Sequence, residues 1–488
     1  MDERAYRIFW LAILTVCAAM FAAYLGLTPL GHWQVDEYQT IRAVGDGGAG
    51  FLFQRVMGWS PRPMSEAFVY GYALLVEARH QPMVATVLVS CWSLLAIGVL
   101  VLPLRRGGVR SWLPVSAALL VLFFLGHPVS EMFYWPMATL AYVPTLAAIA
   151  LLLGITQCLE TSTVATWVLT SVALTVAAAS TEVGAMFVVG FVVLLGMGWL
   201  PGATSYRRAR IIALLPPTLM AAWVLRQLVV VRAGQDAEVF GNAAIAHHAF
   251  VAFKAMVPQA GREWLTLDPS RATDKQLTLG LIVKALFALG VYGLATHRHD
   301  AVAQRMRLSL ALSALALVPA TIFTAYYQFG SLCCERHATF RQCMVYVGIA
   351  AAASWLANWK HRQKGVAEND QRISMPAGKQ AWFALASLLV AVLVAASSSV
   401  PRIRHDYLAY DRIAAARQAT WDSGVANGRS GVFTRVVSGR IVGNDPKLPQ
   451  GAVRVGDDKN ADAILAYFGK DSLVVADEQI PAGGESPR

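Results

Sequence analysis

The stretch Ile8-Phe-Trp-Leu-Ala-Ile-Leu-Thr-Val-Cys-Ala-Ala-Met-Phe-Ala-Ala-Tyr-Leu-Gly-Leu27 decides the fold class. It carries no charge and is as long as a helix needs to be to cross a hydrocarbon core, about 20 residues. Only Met-Asp-Glu-Arg-Ala-Tyr-Arg precedes it, and its apolar core is longer than that of a usual signal peptide, so it reads as an uncleaved anchor. Cys17 is not a lipidation site, because Val16 stands where a lipobox needs Gly, Ala or Ser.

Runs of the same kind recur along the chain. The cleanest are Pro82 to Leu104 and Gln380 to Val400; others begin near Ser111, Met137, Thr163, Val183, Ile211, Gln276, Leu308 and Met344. Only the short polar link Gln157 to Thr163 separates the fourth and fifth runs, so the expected count is eleven spans, with ten or twelve open. Of the 488 residues 56% are hydrophobic and 15% charged, against about 25% charged in soluble domains. The expected fold is an all-α polytopic membrane protein of about eleven transmembrane helices over 1–400, with a small extracytoplasmic α/β appendage over 401–488. That tail reads as a helix from Arg402 to Ala426, β-like runs at Val432 to Val437 and Leu473 to Ala476, and a short helix at Ala461 to Phe468.

A net charge of +11 raises the question of nucleic acid, and the placement of Lys and Arg answers it. Arg105, Arg106 and Arg110 follow the second span, Arg207, Arg208 and Arg210 the sixth, Arg298, Arg305 and Arg307 the eighth, and Lys360, Arg362 and Lys364 the tenth. The positive-inside rule makes these loops cytoplasmic, so the excess charge is a topology signal and no nucleic-acid partner is expected. The reading is a multi-pass protein of a bacterial inner membrane with a cytoplasmic N-terminus. Outside it lie 28–81, the region around His127 to Pro136, the turn Ser180 to Glu182, Arg232 to Lys275, Gln328 to Arg341 and the tail. Five acids, Asp36, Glu37, Glu131, Glu182 and Glu335, thereby land on one face, where their convergence predicts a polar cavity.

The first outer loop is rich in aromatics, with Arg42, Arg55, Arg62 and Arg79 between them, the pattern of short interfacial helices with basic faces near lipid phosphates. Gly45 to Gly50 and the turn Pro61-Arg-Pro63 should break it into pieces. Cys17, Cys91 and Cys158 read as small buried apolar residues and no metal pattern is present. Cys333, Cys334 and Cys343 surround an outside loop, where an oxidising compartment would allow one bridge, between Cys343 and Cys333 or Cys334.

The chemistry concentrates in His32-Trp-Gln-Val-Asp-Glu-Tyr38. Adjacent carboxylates at a membrane surface repel, which raises one pKa and leaves a base able to take a proton from a hydroxyl. Such a pair also suits the first turn of a helix beginning near Val35. The pair after span one, the long first loop, about eleven spans and a soluble C-terminal part together resemble the GT-C superfamily of glycosyltransferases, polytopic enzymes that use polyprenyl-phosphate sugars. Ser130-Glu-Met-Phe-Tyr-Trp-Pro136, Tyr142 and Ser180-Thr-Glu182 look like uncharacterised glucosyltransferase-like members of that group. The Trp-Trp-Asp-Tyr-Gly signature of oligosaccharyltransferases is missing, which excludes transfer of a whole glycan to asparagine.

The resemblance implies inverting transfer of a sugar from a polyprenyl-phosphate donor to an envelope glycan, lipid or protein, with Asp36 as general base and Glu37 as its neighbour or a second candidate. A divalent metal is compatible with this chemistry but not required by the sequence. Glu131, Tyr134, Trp135 and Glu182 are the expected sugar contacts, and Arg336, His337 and Arg341 the expected phosphate contacts. Arg226 and Lys284, cations within spans, are further candidate lipid-phosphate anchors, with snorkelling or carboxylate pairing as the competing account. His247 and His248, with Glu263 and Asp268, match no metal-site spacing. Two other classes stay open: an envelope-polysaccharide polymerase or ligase relying on outer-loop Arg and His, and a transporter or flippase of lipid-linked sugar.

Overall fold

A computed structural model describes residues 3–105, 112–197, 207–233, 244–271, 273–295, 301–363 and 379–478. The body is helical: α1 (Glu3–Leu25), α2 (Val35–Gly58), α3 (Pro63–Arg79), α4 (Val84–Arg105), α5 (Trp112–Leu122), α6 (Ser130–Phe133), α7 (Pro136–Cys158), α8 (Val164–Ser180) and α9 (Glu182–Met197). There follow α10 (Arg207–Ala233), α11 (Ala249–Leu265), α12 (Asp274–Leu294), α13 (Ala301–Phe329), α14 (Glu335–Gln363) and α15 (Lys379–Leu408). Every apolar run read from the sequence is a helix. Seven of those described, α1, α4, α7, α10, α12, α13 and α15, are long and apolar enough to cross a membrane, while α5, α8 and α9 are apolar but shorter. Arg106, Arg110, Arg298 and Lys364 lie outside the described residues.

Helix α7 is central. It packs against α4, α8 and α3, and nearly all of its residues are buried, as expected of a helix apolar on every side. Close approach is set by a small residue, as is common between membrane helices: a Cβ on Gly98 of α4 would stand 2.6 Å from the Ala147 carbonyl oxygen of α7.

The first outer loop is broken where glycine and proline predict. Gly48 adopts a left-handed conformation (φ 55°) that kinks α2, and α3 starts at Pro63, where the missing N–H removes no helical bond. Of the arginines expected near lipid phosphates, Arg55 and Arg62 are largely buried in ion pairs, while Arg42 stays exposed. Arg55 pairs with Glu66 at 2.7 Å, Arg42 with Asp46 at 3.8 Å and Arg62 with Glu182 at 2.6 Å, so three of them meet carboxylates of the chain itself.

The tail is α/β, with α16 (Tyr410–Val425), β1 (Ser430–Arg435), β2 (Gly451–Arg454), α17 (Lys459–Phe468) and β3 (Ser472–Asp477). The sheet order is β1-β3-β2: Ser430 of β1 sits opposite Ser472 in a parallel pair, and Gly451 of β2 opposite Val475 in an antiparallel one. Asp458 caps α17 by accepting from the Asn460 and Ala461 amides, and Gly469 ends it in the left-handed conformation. The boundary expected at 400/401 shifts. Helix α15 passes through Pro401 and runs on to Leu408, carrying Asp406 to the loop 440–442, where its buried carboxylate accepts from the Arg440, Ile441 and Val442 amides. The tail is therefore tied to the body rather than hung from it. The Tyr407 hydroxyl also donates to the Ala23 carbonyl, and Trp33 packs edge-on against Trp421 and Tyr467.

Candidate functional site

Four segments far apart in the chain meet at one end of the bundle: the first outer loop, the α6 turn, the α8/α9 break and the start of α14. Local chemistry builds each of them. Thr181 interrupts the α8/α9 run with extended backbone, accepts from the Gly184 amide as an N-cap, and thereby places Glu182 at the head of α9. The α6 turn and α14 cap each other. Glu335 accepts from the Ser130 amide and hydroxyl at 2.8 and 3.0 Å, and Glu131 accepts from the Arg336 amide at 3.1 Å while its carboxylate lies 3.4 Å from the Arg336 guanidinium. Carboxylates beside exposed amides at helix N-termini are electrostatically favoured.

The cavity at this junction has a volume of about 140 Å3. Arg62, Glu182, Tyr142, His337 and Arg341 line its polar part; Met186, Leu228, Phe329 and Phe340 are among its apolar walls. The Arg62–Glu182 pair lies on one side, and His337 meets Tyr142 edge-on with ring centres 5.7 Å apart. Arg341 is anchored from behind, its Nε and Nη2 donating to Glu263 Oε1 at 2.9 and 2.6 Å, both side chains buried. Both guanidinium groups are already paired with carboxylates, so the chamber has apolar walls and a polar end with no unmatched charge. Arg336 stands next to the cavity, stacked on Trp135 at 4.7 Å and donating to the Tyr142 hydroxyl.

The acidic pair splits. Glu37 is fully buried and takes three donors, the Gln34 amide (2.9 Å), Trp135 Nε1 (2.6 Å) and the Met137 amide (3.1 Å). It closes a capping box at the head of α2 and pins that helix to the entry of α7. Burial pushes its carboxyl up to about 8, against the pull of the Trp135 bond and the two amides and with a small contribution from Asp36. Asp36, one residue earlier, is exposed, and it lines none of the cavity just described. The pair thus does not face one pocket together, because consecutive residues of a helix point about 100° apart. A chain of contacts still links it to the cavity: Glu37 holds Trp135, Trp135 carries Arg336, and Arg336 reaches Tyr142.

Of the other expected contacts, Glu182, His337 and Arg341 line the cavity. Three are corrected. Tyr134 is fully buried, its hydroxyl donating to the Tyr24 carbonyl at 2.8 Å, and it packs on Trp92 as core. Glu131 is engaged as the α14 cap, and Trp135 is buried between Glu37 and Arg336. Lys284 is no phosphate anchor. Its ammonium donates to the Glu263 and Thr266 carbonyls at 3.0 and 2.7 Å, closing the C-terminus of α11, and to Gln342 Oε1 at 3.2 Å. Arg226 is exposed on α10 and does not line the cavity, although Leu228, two residues on, does. Arg62 and Tyr142 are the residues whose role the sequence did not show, although the prolines flanking Arg62 marked a fixed turn.

The cysteine expectation is also corrected. Cys333 and Cys334 are bonded to each other, and Cys343 is a buried free thiol on α14, 3.8 Å from the Phe123 carbonyl. Helix α14 carries Cys343 eight residues along from its start, away from the loop that holds the other two. Cys333, Cys334 and His337 are the grouping, among the described residues, whose donor atoms lie within 4.8 Å of one another. As a disulfide the two sulfurs offer no thiolate to a metal. Glu263 and Asp268, grouped in the sequence with His247 and His248, have other partners, Arg341 and Ser270. No known protein family, curated protein or solved structure matches this chain.

Proposed function

We propose that the protein is a membrane glycosyltransferase that takes a sugar from a polyprenyl-phosphate donor and passes it to an envelope glycan, lipid or protein acceptor, its body crossing the membrane about eleven times and the tail lying on the extracytoplasmic side of a bacterial inner membrane. The observation that carries this reading is the cavity at the α3, α9 and α14 ends. Its Arg62, Arg341 and His337 supply hydrogen-bonding groups for a polar head, the two arginines already paired with Glu182 and Glu263, while Met186, Leu228, Phe329 and Phe340 offer apolar surface to a prenyl chain. Asp36 is the general base in this reading. It is solvated, makes no ion pair among the described residues, and sits on a helix end that Glu37 holds rigidly through Trp135. Glu37 is a positioning residue.

The test is Asp36→Asn assayed for sugar transfer from a polyprenyl-phosphate donor in membranes, with protein level checked. A general base contributes roughly 10²–10⁴-fold, and a loss of that size is expected. One observation favours a second reading, a polysaccharide polymerase or ligase: Arg62, His337 and Arg341 line the cavity and Asp36 does not. Transfer at the parental rate in Asp36→Asn would decide for that reading. Vesicles loaded with labelled lipid-linked sugar address the third class, since movement of the lipid without consumption would discard both transferase readings.

A further inference from the structure

The loop between α13 and α14 carries a disulfide that joins adjacent residues, Cys333 and Cys334. A bridge stabilises a fold chiefly by closing a loop in the unfolded chain, and this one closes none, so stability does not account for it. Its place in the fold is more informative. The loop runs from Phe329, the last residue of α13, to Glu335, the first of α14, and both helices line the cavity, Gln328 and Phe329 from one and His337 and Arg341 from the other.

The local backbone gathers three metal-ligating groups. Cys334 has a φ of 57°, a conformation that residues with a side chain seldom adopt, and its carbonyl accepts from the His337 amide at 3.3 Å in the first turn of α14. His337 is thereby set one turn along from Cys334, and its ring nitrogen and the two sulfurs all lie within 4.8 Å of one another. The imidazole meets Tyr142 edge-on and has no hydrogen-bond partner among the described residues. Cys333 is exposed while Cys334 and His337 are half-buried, so an ion could reach them from solution. With Zn–S at about 2.3 Å and Zn–N at about 2.0 Å, a tetrahedral ion needs its sulfurs about 3.8 Å apart and its nitrogen about 3.5 Å from each. The sulfurs would have to part from bonded contact, and the nitrogen would close in from no more than 4.8 Å; side-chain rotation covers both changes. The head of a long helix favours thiolate, and two thiolates balance a divalent charge.

We infer that Cys333, Cys334 and His337, once the disulfide is reduced, bind a thiophilic divalent cation of the Zn²⁺ class, so that the loop holds either a disulfide or a metal ion. A dithiol reductant supplies two electrons and two protons and is itself oxidised to a disulfide; the S–S bond breaks and two S–H bonds form. The ion then displaces both thiol protons to solvent and takes the lone pair of the imidazole nitrogen. Three protein ligands leave a fourth position for water or a ligand oxygen. The inference does not rest on the glycosyltransferase reading.

The full chain in lipid nanodiscs, purified in air, is compared with the same protein reduced by a phosphine and desalted without oxygen. The other four cysteines are buried, so reduction should expose two titratable thiols. Co²⁺ added to the reduced protein should give thiolate-to-cobalt charge-transfer absorption that saturates at one ion per chain and is displaced by Zn²⁺; the air-purified protein should give none. Cys333→Ser and His337→Gln should each weaken Co²⁺ binding at least about tenfold. Two freed thiols without the absorption, absorption unchanged in both variants, or equal absorption before and after reduction would each overturn the inference, as would a pair that reductant cannot open.

Discussion

Replacing Glu37 by Gln tests whether the buried carboxyl at the head of α2 is a proton-sensitive joint. The group is fully buried, and its pKa is pushed from an ordinary 4.5 up to about 8. At about 1.4 kcal/mol per tenfold, that gap corresponds to an upper bound of roughly 5 kcal/mol. The sign follows from which state holds the proton more tightly. The folded joint does, so its stability is complete below pH 4.5, declines as pH rises through about 8, and is flat above that. Gln does not titrate, so the variant lacks this decline. It brings a separate, pH-independent penalty: one of the three donors facing Glu37 must meet an NH2 group and goes unsatisfied, which costs about 1–3 kcal/mol. The wild-type joint should therefore be the more stable at pH 5, and the difference should shrink or reverse by pH 9. The readout is hydrogen exchange at the Gln34 and Met137 amides in nanodiscs, corrected for intrinsic rates, because local opening reports this joint without requiring the whole bundle to unfold. Parallel pH profiles for the two proteins would refute the argument and show that Glu37 is ionised throughout.

Three other perturbations separate structural ions from functional ones. Lys284→Met keeps the bulk but leaves the Glu263 and Thr266 carbonyls and Gln342 Oε1 without their donor; a loss of about 2–4 kcal/mol in thermal or denaturant stability is expected, with the donor KM of the surviving protein unchanged. A raised KM without destabilisation would restore the phosphate-anchor role. Arg341→Met strands a buried Glu263 carboxylate and should cost about 3–5 kcal/mol, and the double variant Arg341→Met with Glu263→Leu should recover most of it, measured as the midpoint of unfolding. Recovery of none would mean that Arg341 is held by something other than its ion pair. Cys343 should resist maleimide in the folded protein and react after denaturation, with or without reductant; labelling that requires reductant would show that it is bridged after all.

The sequence by itself determined the membrane class, the position of every apolar helix and the breaks in the first outer loop. These are local properties: an uncharged run as long as the bilayer is thick, a glycine free to adopt positive φ, a proline that starts a helix. It also marked the segments that carry the site. Asp36-Glu37, Ser130 to Trp135, Ser180 to Glu182 and Glu335 to Arg341 all lie at one end of the bundle, because alternating spans sort alternate loops to the same side.

Tertiary structure decided what each charged group does there. Lys284 and Arg341 are both cations in or beside a span, yet one closes α11 and the other lines a cavity, and only the neighbours they meet distinguish them. Glu37 and Asp36 are adjacent in sequence and opposite in fate, since the turn of the helix buries one against Trp135 and leaves the other in water. The tail likewise read as a separate appendage from its balanced charge, whereas Asp406 and the Trp33, Trp421 and Tyr467 rings fasten it to the body. Composition and spacing report how one segment meets solvent or lipid. They carry no information on which distant side chain will arrive to satisfy a buried charge.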